Sequence, residues 1–141
     1  MRRIRARFAL IGVLALAAAT VDATPAGASR AAGSNVRTAL TSAVHESHVA
    51  GLNTIPQSHY RVADPRVSTV SRNWASARVV AKPAFRTTFQ SAIVVAVKLA
   101  GTNRWVVVDL GTADVGCGIA PDKVLADLFK TKTPCPSGGI S

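Results

Sequence analysis

Two short runs rich in valine, with a turn-forming segment between them, constrain the fold more than any other feature of this sequence. They lie within residues 91–111, on either side of an Ala-Gly-Thr-Asn segment at residues 100–103. Branched side chains suit a pleated, half-buried surface, and Gly and Asn accept the positive φ that tight hairpins need. The pattern therefore predicts an antiparallel hairpin. Counting outward from the turn gives four cross-strand pairs: Val97 with Val106, Val95 with Val108, Ile93 with Leu110 and, on the opposite face, Lys98 with Trp105.

The first 28 residues have the organisation of a secretory signal peptide. Four arginines precede an apolar run of 12 residues at 8–19, and Ala-Gly-Ala at 26–28 supplies the small residues of a cleavage site. Residues 21–23 offer a second cleavage site. Twelve apolar residues fall short of the ~20 that span a bilayer. We therefore predict an exported protein that is secreted or loosely associated with the cell wall, with no transmembrane anchor after cleavage.

The remaining chain has the length of one domain and a basic charge balance. We predict a flexible mature N-terminus at residues 29–33 and a single α+β domain at residues 34–141. Of 17 basic and 7 acidic residues, removal of four arginines and Asp22 leaves 13 and 6, a net charge of +7. This positive net charge favours anionic partners such as wall polymers, lipid headgroups or nucleic acid. The basic residues are scattered, with their densest spacing between Arg61 and Arg86, which is also typical of a solvated cationic surface.

Two cysteines, Cys117 and Cys135, remain in the exported chain. An even number of cysteines outside the cytoplasm indicates a disulfide. A disulfide that closes the loop of 19 residues from Cys117 to Cys135 stabilises the fold by roughly 3 kcal/mol in chain-entropy treatments. A reactive thiol pair is usually closer in sequence, as Cys-x-x-Cys, and a metal site needs more ligands.

Helices are predicted at both ends of the domain. Val36, Leu40 and Val44 repeat at a spacing of four from Ser34 onward, and Gly51 is a natural stop. At the other end, Pro121 suits the first position of a short helix whose apolar stripe lies between Val124 and Phe129. A disulfide between Cys117 and Cys135 would clip both ends of this short helix to the sheet.

Two strands are predicted between the first helix and the hairpin. One spans residues 60–70 and contains Asp64-Pro65. Because proline cannot donate to a ladder, this is an edge strand or a strand that begins after Pro65. The other spans residues 74–82 and alternates small apolar residues with larger or charged ones. The predicted fold is therefore α+β: an N-terminal helix packed on a curved, antiparallel, four-stranded meander, followed by the short helix. Both faces of the hairpin are apolar, so the sheet must curve around a pocket or its second face must meet a partner.

Several of these segments form a pattern that resembles a known group of proteins. They are Arg66-Val-Ser-Thr-Val, Asn73-Trp74-Ala75, a hairpin ending in Arg104-Trp-Val-Val-Val-Asp-Leu-Gly-Thr, and Val115-Gly-Cys before a helix that begins at proline. Over residues 60–135, about two-thirds of the mature chain, the sequence resembles small, uncharacterised exported proteins of high-GC Gram-positive bacteria. The resemblance implies an exported soluble domain and brings no catalytic residues. The order of elements is also similar to cystatin-like and nuclear-transport-factor-like architectures, which host unrelated functions.

Few residues of the sequence are candidates for metal binding or catalysis. His45 and His48 are three apart on the predicted helix and could share a metal ion, although zinc needs a third protein ligand, for which His59 or Glu46 is available. Solvent-facing histidines on an amphipathic helix are the commoner explanation. Asp109 and Asp114 flank a glycine-rich loop, but they suit a strand end and a turn better than a hydrolytic pair. The sequence indicates no catalytic residue and no cofactor.

The aromatic and basic residues of the strands provide the best candidates for ligand binding, which are Trp74, Arg78, Lys98 and Trp105. Tryptophan stacks on sugars or bases and pairs with cations, although packing in the core is its commoner role. We expect a secreted, non-catalytic binding module for an anionic envelope polymer or a protein partner, with no specific nucleic acid. The ligand would meet the second face of the sheet and the segment from Arg61 to Arg86. A weak metal-dependent enzyme using His45 and His48 is the alternative, and a structural or effector module is a third.

Overall fold

The computed structural model describes residues 29–136, so the predicted signal peptide lies outside the described residues. The fold is α+β, with a five-stranded antiparallel sheet in the order β1-β2-β3-β4-β5 and one helix on each face. The elements are β1 (Arg30–Ala31), α1 (Ser34–His45), β2 (Tyr60–Val67), β3 (Trp74–Ala81), β4 (Ala92–Lys98), β5 (Trp105–Gly111) and α2 (Asp122–Phe129). Short 3₁₀ turns lie at Val49–Thr54, Gln57–His59 and Pro83–Phe85. Neither helix of this part of the chain has the length and apolar character needed to cross a membrane.

The predicted four-stranded sheet gains a fifth strand from residues 29–33, which the sequence indicates as a flexible N-terminus. β1 pairs antiparallel with the end of β2, and the backbone N–H of Ala32 donates to the carbonyl of Pro65 at 2.9 Å. The Arg66 guanidinium also donates to the carbonyl of Ser29 at 3.3 Å. A strand of two residues has no periodicity to detect, so only these tertiary contacts define it.

β2 is not the edge strand that its proline suggests, because β1 and β3 flank it. A register shift between Ala63 and Arg66 removes Asp64 and Pro65 from the pairing with β3, and Asp64 has a φ of 49°. A proline at a bulge needs no ladder donor. The bulge therefore accommodates Pro65 inside a sheet.

The hairpin of β4 and β5 is confirmed, and its register agrees with the prediction only near the turn. A bulge on β5 shifts the pairing between Val95 and Ala96. Val97 pairs with Val106 and Lys98 with Trp105, as predicted, whereas Val95 pairs with Asp109 and Ile93 with Gly111. The extra residue aligns the Asp109 carboxylate with the following loop, where it accepts the N–H groups of Leu110 at 2.8 Å and Gly116 at 2.6 Å.

The face of the sheet under α1 carries small residues, which let the helix approach closely. Ala75, Ala77 and Ala96 are buried there, and Leu40 and Val44 of α1 pack on them, as their spacing predicts. The helix ends at His45 and does not reach Val49, the limit that the sequence suggests. The chain then turns through Ala50 and Gly51, both of which have positive φ.

The centre of the opposite face is covered by α2 and the loop that precedes it. Val95 of β4 packs with Val115 and Leu125 in a second apolar cluster. The predicted disulfide between Cys117 and Cys135 is present, with Cα atoms 5.7 Å apart, and it joins the segments before and after α2. The centre of this face is thus closed by the chain itself rather than left for a partner.

Gly116 permits the close approach of the loop to both α2 and β4. Its φ is +83°, and a Cβ atom there would lie 2.8 Å from Leu125 Cδ2 and 3.2 Å from Val95 Cγ2. Gly118, one residue beyond Cys117, has a similar φ of +75° but no atom within 4 Å of such a Cβ. A comparison of alanine variants at the two glycines therefore distinguishes the cost of positive φ from the cost of steric crowding.

We predict that Gly116→Ala destabilises the fold more than Gly118→Ala does. Each variant places a side chain at positive φ, which costs about 1–2 kcal/mol, and Gly116→Ala adds overpacking of about 1–3 kcal/mol. Urea unfolding of both variants measures the difference. Equal losses of stability would show that the loop does not pack as tightly as described.

Candidate functional site

A cavity of about 640 Å³ lies between β1, the N-terminal end of α1 and the end of the sheet where β5 begins. We call it the cationic cavity, after the residues that line it. Its polar lining consists of Arg30, Asn35, Arg72, Lys98, Asn103 and Trp105. Its apolar lining includes Val36 and Ala39 of α1 and Val67 of β2.

The register of the sheet brings the residues of this cavity together. Lys98 and Trp105 are cross-strand partners at the last rung of β4 and β5, and the N–H of Lys98 donates to the carbonyl of Asn73 at 2.8 Å. This bond joins β4 to the turn between β2 and β3, which carries Arg72. Arg30 comes from β1 on the far side of β2. The sequence singles out Lys98 and Trp105 and includes Arg72 within the segment from Arg61 to Arg86, whereas it gives no sign of Arg30.

The charges of the cavity are uncompensated within the described residues. Arg30, Arg72 and Lys98 line it, no carboxylate does, and none of these three forms an ion pair or a side-chain hydrogen bond in residues 29–136. The ion pair found in that part of the chain joins Arg78 to Asp64 at 3.7 Å, away from the cavity. A cavity lined by three cations and no carboxylate favours an anionic ligand.

Trp105 lies at the boundary of two cavities, because it lines both the cationic cavity and another of about 490 Å³ that Glu46 and His48 also line. The side chain of Trp105 is only 7% exposed, and its indole N–H donates to no described residue. No buried side-chain nitrogen or oxygen of the described chain lacks a partner, so this indole nitrogen must keep contact with solvent. A largely buried donor that is still accessible is suited to a ligand, because the surrounding core already orients it.

The four predicted binding residues divide between two faces of the sheet. Trp74 pairs with Val97, whereas Trp105 pairs with Lys98, one residue further along β4. Because side chains alternate along a strand, the two tryptophans lie on opposite faces. Trp74 packs with the cluster under α2, and Arg78 is exposed beside Asp64. Only Lys98 and Trp105 therefore belong to the cationic cavity.

The histidines proposed as metal ligands are not brought together with a third ligand. α1 ends at His45, whose ring packs edge-on against Tyr60 with centroids 5.7 Å apart, and His48 lies beyond the helix. His59 stacks on Phe85 at 3.7 Å. Among residues 29–136, no group of three His, Cys, Asp or Glu residues is arranged to hold a metal ion. The shared helix face that the sequence suggests is thus absent.

Asp127 is a buried carboxylate that the sequence analysis overlooked, because it lies within the apolar stripe of α2. Its side chain is 3% exposed. It accepts hydrogen bonds from the Ser68 hydroxyl at 2.7 Å, from the Thr69 N–H at 2.7 Å and from the Thr69 hydroxyl at 3.2 Å. Burial raises the pKa of Asp127, but these hydrogen bonds outweigh that effect and hold the pKa below its ordinary value of 3.8. The carboxylate therefore ties α2 to the turn after β2.

The lining of the cavity combines the donors of Arg30, Arg72 and Lys98 with an apolar wall. It lacks the adjacent nucleophile and base that covalent catalysis needs, among the residues that line the cavity. Comparison with protein families, with curated proteins and with solved structures finds no match to this chain.

We predict that Asp127→Asn lowers the free energy of unfolding by about 1–3 kcal/mol at pH 7, the usual contribution of hydrogen bonds to a charged group. A lowered pKa means that the stabilisation is present above the unfolded-state pKa and is lost as the pH falls through the folded-state value. The difference in unfolding free energy between the wild type and Asp127→Asn should therefore shrink below about pH 4. Urea unfolding at several pH values measures it, with Asp122→Asn in the exposed first turn of α2 as the control. A difference that does not depend on pH would contradict the charged network.

Proposed function

We propose that this protein is a secreted, non-catalytic binding module that holds an anionic ligand in the cationic cavity. The observation that carries the proposal is the convergence of Arg30, Arg72 and Lys98 on one cavity without a carboxylate in its lining. The disulfide between Cys117 and Cys135 supports an oxidising compartment outside the cytoplasm. The preferred ligand class is an anionic component of the cell envelope.

The cavity combines two kinds of interaction that one ligand can satisfy together. The guanidinium groups of Arg30 and Arg72 present planar, forked donors that match the oxygens of a carboxylate or a phosphate. The apolar wall from Val36, Ala39 and Val67 adds contact with an uncharged part of the ligand. Because Trp105 already has its place in the core, binding requires little ordering of the protein there.

Two features of the α1 N-terminus also favour an anion at this end of the cavity, although they form no site by themselves. The residue that precedes α1 is Gly33, so no side chain caps the first N–H groups, and the first turn contains no acidic residue. The first amides of a helix carry a partial positive charge. The field at this end of the cavity therefore has the same sign as that of the arginines.

The alternative function, a weak metal-dependent enzyme that uses His45 and His48, gains no support from the described residues. The two histidines have separate surroundings, and no third ligand accompanies them there. The second face of the sheet, where the sequence suggests a ligand, is closed at its centre by α2. The cationic cavity is therefore the better location for a ligand.

We predict that Arg72→Gln and Lys98→Gln each weaken binding of an anionic polysaccharide by about tenfold to a hundredfold, the effect of losing one charged hydrogen bond. Arg78→Gln removes the same kind of charge from the opposite face, and it should bind as the wild type does. Isothermal calorimetry at two salt concentrations measures these affinities. Binding should also weaken as salt screens the cations.

Two results would contradict the proposal. One is binding that is insensitive to salt, which would exclude an electrostatic interaction. The other is a loss for Arg78→Gln that equals the losses for Arg72→Gln and Lys98→Gln, because the net charge of the protein would then matter rather than the cavity.

A further inference from the structure

A second cavity, of about 520 Å³, adjoins the cationic cavity at the end of the hairpin. We call it the hairpin-tip cavity. Asn73 and residues 98–103 line it, and two of its residues, Lys98 and Asn103, also line the cationic cavity. We call the two adjoining cavities, which share Lys98 and Asn103 at their boundary, the groove; their linings together extend from β1 past the last rung of the sheet to the tip of the hairpin.

The size of this groove favours an elongated ligand. Each cavity alone has the volume that typically holds one small molecule, about 300–1,000 Å³. A small anion at Arg30 and Arg72 would leave the hairpin-tip cavity unoccupied. A chain of repeated units can occupy both cavities and pass Lys98 between them.

Three asparagines distributed along the groove define the chemistry that it can recognise. Asn35 lies at the α1 end, Asn103 between the cavities and Asn73 in the hairpin-tip cavity. All three are exposed, and their side chains make no hydrogen bond within residues 29–136. An amide side chain both donates and accepts, whereas a bare anion uses donors only. Hydroxyl groups, which also donate and accept, are the partners that suit these positions.

We infer, on the basis of the proposed function, that the ligand is a hydroxylated chain with acidic groups, such as an acidic saccharide or a polyol phosphate. An acidic group lies against Arg30, Arg72 and Lys98. The hydroxyl groups of the following units meet Asn103 and Asn73. The cations supply affinity for charge, and the asparagines distinguish a hydroxylated chain from other polyanions.

The inference is tested with three probes that separate charge from hydroxyl groups. Oligogalacturonates of increasing length carry both, polyacrylate carries charge alone, and maltooligosaccharides carry hydroxyl groups alone. We expect affinity to rise with the length of the oligogalacturonate until both cavities are filled. At equal charge, polyacrylate should bind more weakly, and the neutral sugars more weakly still. Tighter binding of poly(glycerol phosphate) than of polyacrylate would support the same inference and identify phosphate as an acceptable acidic group.

A pair of variants locates the contribution of the hydroxyl groups. Asn73→Ala should weaken binding of the longer oligogalacturonates by about twofold to tenfold, the effect of a neutral hydrogen bond. It should leave galacturonate monomer and polyacrylate unaffected. Asn53→Ala removes an exposed asparagine of the Val49–Thr54 turn, outside the groove, and should change nothing.

The outcomes distinguish this inference from the proposed function. If galacturonate monomer binds through Arg72 but longer chains gain nothing, or if polyacrylate binds as tightly as the longer chains, the inference is wrong and the anion-binding function stands. If no charged probe binds, both are wrong. A loss with Asn73→Ala that is equal for all probes would indicate a local change in structure and would also overturn the inference.

Discussion

Burial of strand β4 on both faces is the constraint on which the rest of the structure depends. Val94, Val95 and Ala96 are each no more than 1% exposed, so both faces of the sheet must be covered. α1 covers one face over small residues, and α2 covers the other. A helix of 8 residues is too short to be stable alone, so α2 depends on tertiary contacts. The Cys117–Cys135 disulfide joins the segments on either side of it, and Asp127 anchors it to the turn after β2. The cationic cavity lies beyond the N-terminal end of α1, where this cover is incomplete.

The distribution of the acidic residues explains why a moderately basic chain has a strongly cationic cavity. Asp127 is buried beneath α2, Asp109 accepts two backbone amides after the bulge, and Asp64 pairs with Arg78. These carboxylates therefore do not face Arg72 or Lys98. The basic residues of the sequence favour anionic partners and are also typical of a solvated surface, and their scatter does not show where charge collects. In the fold, no carboxylate of the described residues lines the cavity that Arg30, Arg72 and Lys98 share.

Hydrophobic periodicity in the sequence predicted the strands and helices in which apolar side chains recur at regular spacing. The hairpin, β3 and both helices follow from alternation and from spacings of four, and the pairing of Lys98 with Trp105 follows from counting outward from the turn. The register beyond Ala96 could not be predicted, because the bulge accompanies hydrogen bonds from the amides of Leu110 and Gly116 to Asp109, which alternation does not reveal. The positions of Arg30 and Arg72 in the cavity could not be predicted from the sequence either. Arg30 lies in a strand of two residues and Arg72 in a turn, so only tertiary contacts place them beside Lys98.

The two tryptophans permit the most direct test of a ligand in the cationic cavity, because they lie on opposite faces of the sheet. In a nuclear magnetic resonance titration with an oligogalacturonate, the indole N–H signal of Trp105 reports on the cavity. The signal of Trp74 reports on the face under α2. Binding as described predicts a saturable shift of the Trp105 signal and none for Trp74. A Trp105 signal that stays unchanged while Trp74 or the backbone amides around Arg78 shift would place the ligand on the other face and contradict the account.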